Sequence, residues 1–294
     1  MGNNENQQTN EIKDEDFNVE DFLEEKPEPK KEVGYALITG ATGGLGKAFV
    51  YALAKRGYKL LLTGRSEEKL HALQDEISQK FPQAETRTYA ADLSDAQSRV
   101  NLMAQITNDE IPISFLANVA GADIQKGLTE YTDEKIAFQC RVNFEAAVSL
   151  CRFAIENKAE SLKIVNVSSV SGIYPMPYFA IYSATKGALT SFSISLREEM
   201  RKKGVFVTAV LPGAMPTRDD VKAQIKGQGL WGKLAAKSPE SVAELSIKAV
   251  EKNKRKVIVG FWNKVMRICT AWLPTSWRLR FIAKRWSKIS KDAF

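Results

Sequence analysis

The chain has 294 residues, 44% hydrophobic and 26% charged, which is enough apolar material for a sizeable core, and its formal net charge is +7. Its single histidine, His71, excludes a zinc or iron site built on two or more histidines and leaves a Ser-His-Asp hydrolase only that one residue to use. The three cysteines, Cys140, Cys151 and Cys269, have no CxxC spacing and an odd count, as in a reducing compartment, and read as core residues or free thiols.

The charge is unevenly spread. Residues 1–32 carry 11 acids and 4 bases, show no apolar periodicity, and exit through Lys-Pro-Glu-Pro-Lys at Lys26–Lys30, so they predict a disordered acidic leader. A secretory signal needs a basic start and an apolar stretch of roughly 7 to 15 residues, which this head lacks. Gly2 does not complete a myristoylation motif, because Asn6 stands where Ser or Thr is required. No continuous apolar run approaches the ~18 residues of a membrane span, and a cytoplasmic location is expected, with peripheral contact at the inner face of a membrane left open.

From Val33 onward, short apolar runs alternate with helical periods, the pattern of strand-helix-strand units and a parallel sheet. Seven strands are predicted, near 33–39, 58–63, 85–90, 113–118, 162–168, 204–211 and 256–260. The second (Tyr58-Lys-Leu-Leu-Leu-Thr) and the sixth (Val205-Phe-Val-Thr-Ala-Val-Leu) are continuous apolar runs of the kind buried on both faces.

The first strand runs into Thr39-Gly40-Ala41-Thr42-Gly43-Gly44-Leu45-Gly46, followed by a helical pattern over Lys47–Arg56. Glycines let the backbone turn tightly and approach a pyrophosphate, whose charge the amides and partial positive charge of a helix start stabilise. A tight strand-to-helix turn without a ligand uses the same residues. At the end of the second strand, NAD enzymes of this type place an acid against the ribose hydroxyls. Here the chain reads Thr63-Gly64-Arg65-Ser66, and a guanidinium without an acid suits the 2'-phosphate of NADP. Ser66 and Thr42 are further donors, and Ser66 also reads as the cap of the next helix.

Further along, Tyr182-Ser-Ala-Thr-Lys186 opens a helical pattern that continues to about Lys203, and residues four apart share a helix face, so phenol and ammonium reach one cleft. Ser169 ends the strand Lys163-Ile-Val-Asn-Val-Ser-Ser, thirteen residues before Tyr182, and Asn143 lies mid-helix in Arg141-Val-Asn-Phe-Glu. Each has a plainer reading: Ser169 as a strand terminator, Asn143 as the partner of a buried backbone group.

With these residues the chain resembles the short-chain dehydrogenase/reductase family over about residues 33–260. Six segments match in order: the glycine turn, Asp92-Leu93, Asn118-Val119-Ala120-Gly121, Asn143, the Ser169/Tyr182/Lys186 set, and Pro212-Gly213 with Thr217. Val119 departs from the pattern, since the family usually has a second Asn there, which leaves Asn118 for the cofactor side. Gly43 and Gly44 together also fit the longer epimerase-like branch, whereas the Ser-to-Tyr spacing and chain length favour the shorter reductases.

The resemblance implies a doubly wound Rossmann-type sheet of order 3-2-1-4-5-6-7, a nicotinamide cofactor, hydride transfer to or from a carbonyl, and a homo-oligomer. The implied cofactor-binding positions are Gly40, Thr42, Gly43, Gly44, Leu45, Gly46, Arg65, Ser66, Asp92, Leu93, Asn118, Ala120, Gly121, Pro212, Gly213 and Thr217, with Tyr182 and Lys186. The residue chemistry agrees: a ketone accepting hydride develops negative charge on oxygen, and a neutral phenol, Tyr182, delivers the proton. An unperturbed phenol near ~10 is a poor proton carrier at neutral pH, and the Lys186 ammonium favours its phenolate. By resemblance Lys186 also holds the nicotinamide ribose, Ser169 bonds the substrate oxygen, and Asn143 anchors a water chain. A noncatalytic NADP-binding sensor on the same fold is the alternative.

Substrate choice falls to the loops Ala122–Leu128, Gly172–Phe179 and Ala214 to about Lys237. The second, Gly-Ile-Tyr-Pro-Met-Pro-Tyr-Phe, is apolar and aromatic, and none is densely basic, which points to a hydrophobic, lipid-derived ketone or aldehyde. Gly227, Gly229 and Gly232 around Trp231 suit either a lid or a plain surface loop.

Residues 252–294 carry 12 bases and 1 acid. Within a tail spanning 261–294, Phe261, Trp262, Val265, Met266, Ile268, Cys269, Trp272 and Leu273 share one side of a first helix, opposite Asn263, Lys264, Arg267 and Thr270. Pro274 breaks it. In a second helix, Leu279, Ile282, Ala283, Trp286 and Ile289 oppose Arg278, Arg280, Lys284, Arg285, Lys288 and Lys291. A basic amphipathic pair with Trp fits a membrane surface, or packing on the enzyme or a second subunit. Nucleic acid is disfavoured, because no reader motif is present.

Overall fold

The computed structural model describes residues 34–216 and 236–287. The acidic leader, Thr217, Gly227, Gly229, Trp231 and Gly232, and Lys288, Ile289 and Lys291 at the end of the tail lie outside the described residues.

The alternation of runs and periods yields β1 (Tyr35–Thr39), α1 (Gly44–Ala54), β2 (Lys59–Gly64), α2 (Glu67–Lys80), β3 (Thr86–Ala90), α3 (Ala96–Asn108), β4 (Ile113–Asn118), α4 (Asp133–Cys140), α5 (Ala146–Glu156), β5 (Lys158–Val167), α6 (Ala180–Met200), β6 (Val205–Leu211), α7 (Pro239–Glu251), β7 (Lys256–Ile258), α8 (Phe261–Ala271) and α9 (Thr275–Trp286). The seven strands form one sheet of order β3-β2-β1-β4-β5-β6-β7, every pair parallel, as expected of the doubly wound fold. The order reverses between β1 and β4, and the crevice outside the strand ends at such a point is where ligands of open α/β sheets bind.

The apolar strands are explained by burial from both sides. In β2, Leu60 and Leu62 pack into one core with α1, α2 and α7, while Leu61 packs into the other with α3, α5 and α6. All three leucines are fully buried. At about 1.5–3 kcal/mol per buried leucine, such runs weld the helical layers to the sheet.

Some boundaries move, for local reasons. β5 begins at Lys158, four residues before the apolar run, because Lys158 pairs with Ile113 and the backbone ladder extends through polar residues. β7 stops at Ile258, and Gly260, with φ 97°, turns the chain into α8. The first helix starts at Gly44 rather than Lys47, so the last glycines of the turn belong to its first coil. α6 runs from Ala180 to Met200, ending short of Lys203.

Most of the apolar side of α8 and of the turn after it faces solvent, with Trp262 and Val265 of that side half-buried. Phe261, Met266, Ile268, Cys269, Trp272 and Leu273 are exposed, whereas Asn263, Lys264, Arg267 and Thr270 on the opposite side are half-buried. In α9, Leu279, Ile282, Ala283 and Trp286 face inward, and Trp277, Arg280, Phe281 and Lys284 face out. Among the described residues, no helix is long and apolar enough to cross a membrane, and no cluster of potential metal ligands occurs.

Candidate active site

The strand ends converge on a cleft of about 380 Å³ at the β1/β4 switch point. Its floor is the glycine turn. Gly40 has φ 62°, and a Cβ there would lie 3.1 Å from the Ala120 Cα, so the turn needs glycine for conformation and for close approach to the β4 loop. At Gly46 a Cβ would sit 2.0 Å from the Gly40 carbonyl oxygen, which fixes how closely α1 packs on the turn. Gly43 is the helix cap, and the first backbone bond of α1 runs from Lys47 N to Gly43 O, so the amides ahead of it open the helix toward the cleft.

Most of the sequence-predicted positions meet here. Gly40, Thr42, Gly43, Gly44, Leu45, Gly46, Arg65, Asp92, Leu93, Ala120, Gly121, Ser169, Tyr182, Lys186, Pro212 and Gly213 all line the cleft. Arg65 is exposed at its rim. Ser66, just outside, caps α2 by accepting from Lys69 N at 3.3 Å.

Two predicted residues act from beneath the wall. The Asn118 side chain turns into the interior, where its amide donates to Asn166 Oδ1 at 2.8 Å, and it does not line the cleft. Asn143 is buried in a single π-helical coil, Arg141–Glu145, between α4 and α5. Its Oδ1 accepts from Ala122 N at 2.7 Å, and its amide donates to Ala122 O at 2.9 Å and to Thr185 Oγ1 at 3.2 Å. It thus clasps the β4 loop to α6 one residue before Lys186, the plainer reading of this asparagine. Arg99, also buried, secures the same coil by donating to Leu93 O at 2.8 Å and pairing with Glu145.

Ser169 and the α6 pair are brought together by a close crossing. The short turn Val170–Gly172 rides over α6 so tightly that a Cβ on Gly172 would lie 2.7 Å from the Lys186 carbonyl carbon. Ser168 Oγ donates to Lys186 O at 2.7 Å, locking the crossing. The Ser169 hydroxyl accepts from Ser171 N at 3.1 Å. Lys186 Nζ donates to Val167 O at 2.8 Å and lies 5.9 Å from the Tyr182 ring centroid, and the Tyr182 ring stacks on Phe179 at 4.3 Å.

Burial pushes the Lys186 ammonium down to about 8, against the opposing charge of Asp123. The folded pKa lies below the unfolded one, so between pH 8 and about 10.5 the unfolded chain holds more protons and this lysine makes stability rise with pH. We expect Lys186→Met to gain about 3 kcal/mol over wild type below pH 8, an advantage that disappears by pH ~10.5. Urea unfolding of both proteins across that range checks it, and a pH-independent difference would contradict the burial cost.

Sequence reasoning missed several contributors. Thr39 Oγ1, buried at the end of β1, accepts from Val119 N at 2.9 Å and Ala120 N at 3.0 Å, pinning the β4 loop. Phe138 and Val142 also line the cleft, as do Asp123 and Met215 from two of the loops to which the sequence assigned substrate choice. Their only sequence signal is position just beyond a strand end or within a helix that the sheet order brings to the crevice.

Comparison with known proteins agrees with this geometry. The family model for short chain dehydrogenases matches residues 34–226. The very-long-chain 3-oxoacyl-CoA reductase of Bos taurus is 35% identical over 224 residues, covering 74% of this chain and 68% of that protein. For the Mus musculus protein of the same name the figures are 35% over 192 residues, 63% and 60%, so the chain spans less than two thirds of that relative's length. The short-chain dehydrogenase from Sphingobium yanoikuyae, solved in complex with NADPH, shares the fold with a TM-score of 0.67 at 23% identity, covering 89% of this chain and 100% of that one.

Proposed function

Since the chain belongs to the short-chain dehydrogenase family, we propose that it is an NADP(H)-dependent reductase that converts the ketone of a hydrophobic, lipid-like substrate to the alcohol, or the reverse, by hydride transfer. The observation that carries this reading is the convergence of Ser169, Tyr182 and Lys186 on one wall of the cleft whose floor is the glycine turn.

The residues present fit a dinucleotide. The open helix start of α1, the close backbone approach that Gly40 and Gly46 permit, and a cationic rim at Arg65 together suit a pyrophosphate and a 2'-phosphate. Gly43, Gly44 and Leu45 would hold the pyrophosphate, Arg65 with Thr42 the 2'-phosphate, and Lys186 the ribose beside the nicotinamide. Bound there, the nicotinamide supplies or accepts the hydride.

The chain's own residues manage the oxygen and its proton. Ser169 Oγ bonds the carbonyl oxygen and fixes its position, Tyr182 Oη donates a proton as negative charge develops there, and the Lys186 ammonium stabilises the phenolate left behind. Asn143 acts through position, keeping Ala122 and Thr185 where the wall needs them.

For the substrate, the name of the bovine relative and the aromatic segment before α6 both support a 3-oxoacyl thioester with a long apolar chain. The reading places the enzyme, as a homo-oligomer, in peripheral contact with a membrane through its basic tail.

Cofactor and substrate are tested together by following nicotinamide absorbance with NADPH or NADH and 3-oxoacyl thioesters of increasing chain length. We expect kcat/KM to favour NADPH by at least about tenfold, the worth of one charge-assisted phosphate contact, and Arg65→Asp to erase or reverse that preference. Equal values for the two cofactors in the wild type would overturn the NADP assignment.

A further inference from the structure

We propose that α8 and α9 form a docking face for an anionic lipid bilayer, and that docking releases α9 from residues 174–179, the segment that leads into α6 and its Tyr182. This deepens the reductase reading, on which it rests for its effect on turnover.

The outer surface has the composition of a membrane interface. α8 and the turn after it leave Phe261, Met266, Ile268, Trp272 and Leu273 in solvent, with Trp272 89% exposed, an apolar side of which only Trp262 and Val265 are half-buried. α9 continues it with Trp277 and Phe281, 67% and 68% exposed, interleaved with Arg280 and Lys284 on the same side. The surrounding chain, residues 252–294, has 12 bases against 1 acid. Apolar and aromatic side chains at one level with cations around them complement anionic headgroups over hydrocarbon, and the charge excess selects a bilayer over a second, equally basic copy of this face.

The inner surface leads to the active site. Three contacts from α8 and α9 reach one segment of the domain, residues 174–179. Trp286 stacks on Phe179 at 6.4 Å, the Arg278 guanidinium lies 5.8 Å from the Tyr174 ring, and Thr270 Oγ1 bonds Tyr174 Oη at 2.9 Å. Phe179 in turn stacks on Tyr182, so an aromatic ladder joins the tail to the candidate proton donor. The segment holds Tyr178 at φ 62°, a left-handed conformation that costs a non-glycine residue energy and marks stored strain.

These inner contacts are weak where lipid is strong. Arg278 donates to Thr275 Oγ1 at 2.9 Å, but its Nε is buried without an acceptor. A lipid phosphate supplies that acceptor and a charge partner, and the bilayer interface accommodates the Trp286 ring as well as Phe179 does. Docking therefore competes with the contacts that hold α9 over the loop, and uncovers the approach to Tyr182 where an apolar substrate would arrive.

The test uses full-length protein with NADPH and vesicles of phosphatidylcholine with or without phosphatidylglycerol. With anionic vesicles we expect flotation at low salt, weakened as salt screens the cationic part. We expect about tenfold faster amide exchange over residues 173–182, and a comparable rise in kcat/KM for a long-chain ketone. Pairing Trp272→Ser with Trp277→Ser should lower the vesicle partition coefficient by at least about 100-fold. Trp286→Ala should still float and show fast exchange at 173–182 without vesicles.

Absence of flotation, or self-association that the Trp272/Trp277 pair abolishes in its place, overturns the docking face. Flotation with unchanged exchange overturns the coupling, and equal exchange with inorganic phosphate alone overturns the need for a bilayer. Failure to oxidise NADPH with any ketone, vesicles or not, would count against the reductase reading and leave the flotation and exchange results to decide the docking proposal.

Discussion

Replacing Tyr182 by phenylalanine should lower turnover by about 10²-fold to 10⁴-fold, the range expected when a general acid is removed, with the fold and cofactor affinity unchanged. The substitution is clean because the ring is held by its stack on Phe179 at 4.3 Å, a contact that phenylalanine keeps. Only the Oη leaves. The developing oxyanion then takes its proton from water, while Ser169 remains as a hydrogen-bond donor, so residual activity is expected. Steady-state kinetics with NADPH and the best ketone, together with cofactor affinity from nicotinamide fluorescence, check the split. Turnover within threefold of wild type would remove Tyr182 from the mechanism.

Gly46→Ala should damage cofactor binding as severely, through sterics. The new Cβ would lie 2.0 Å from the Gly40 carbonyl oxygen, 2.7 Å from the Gly40 carbonyl carbon and 2.9 Å from the Ala41 Cα. These neighbours are backbone, so no side chain can swing aside, and either α1 moves off the turn or the turn opens. Overpacking of this kind costs about 1–3 kcal/mol or more, which lowers the melting temperature by several degrees in a domain of this size. The displaced amides at the start of α1 would no longer converge, and NADPH affinity should fall by at least about 100-fold. Thermal unfolding and NADPH titration read the two effects separately. A variant that melts with wild type and binds NADPH within twofold would contradict the close-packed turn.

The fold was legible because its signals are strong and local. Three consecutive buried leucines in β2 are intelligible only in a strand covered on both faces, and Leu60, Leu61 and Leu62 are divided between two cores in that way. The glycine turn and the Tyr182/Lys186 pair were legible for a similar reason, since spacing on a turn or one helix face fixes relative direction. Asn143 shows where this ends. Its sequence neighbours read as continuous helix, and the π coil that aims its amide at Ala122 depends on packing between α4, α5 and α6, which no local period encodes. Thr39 was hidden in the same way, as its two acceptor contacts come from residues 80 and 81 positions away. The tail was half legible. Its amphipathic faces follow from helical spacing, but which face turns outward is a tertiary fact, and in α8 most of the apolar one does.

The central claim, hydride transfer to a ketone carbon with Tyr182 as proton donor, is tested most directly by isotope. Incubation of the protein with a long-chain 3-oxoacyl thioester and NADPH deuterated at C4 of the nicotinamide, followed by mass analysis of the product, should find one deuterium on the carbon that bears the new hydroxyl. The label should come from one face of the nicotinamide only, and Tyr182→Phe should give the same product far more slowly. Product without deuterium at that carbon, or no product from any ketone while NADPH binds normally, would contradict the account.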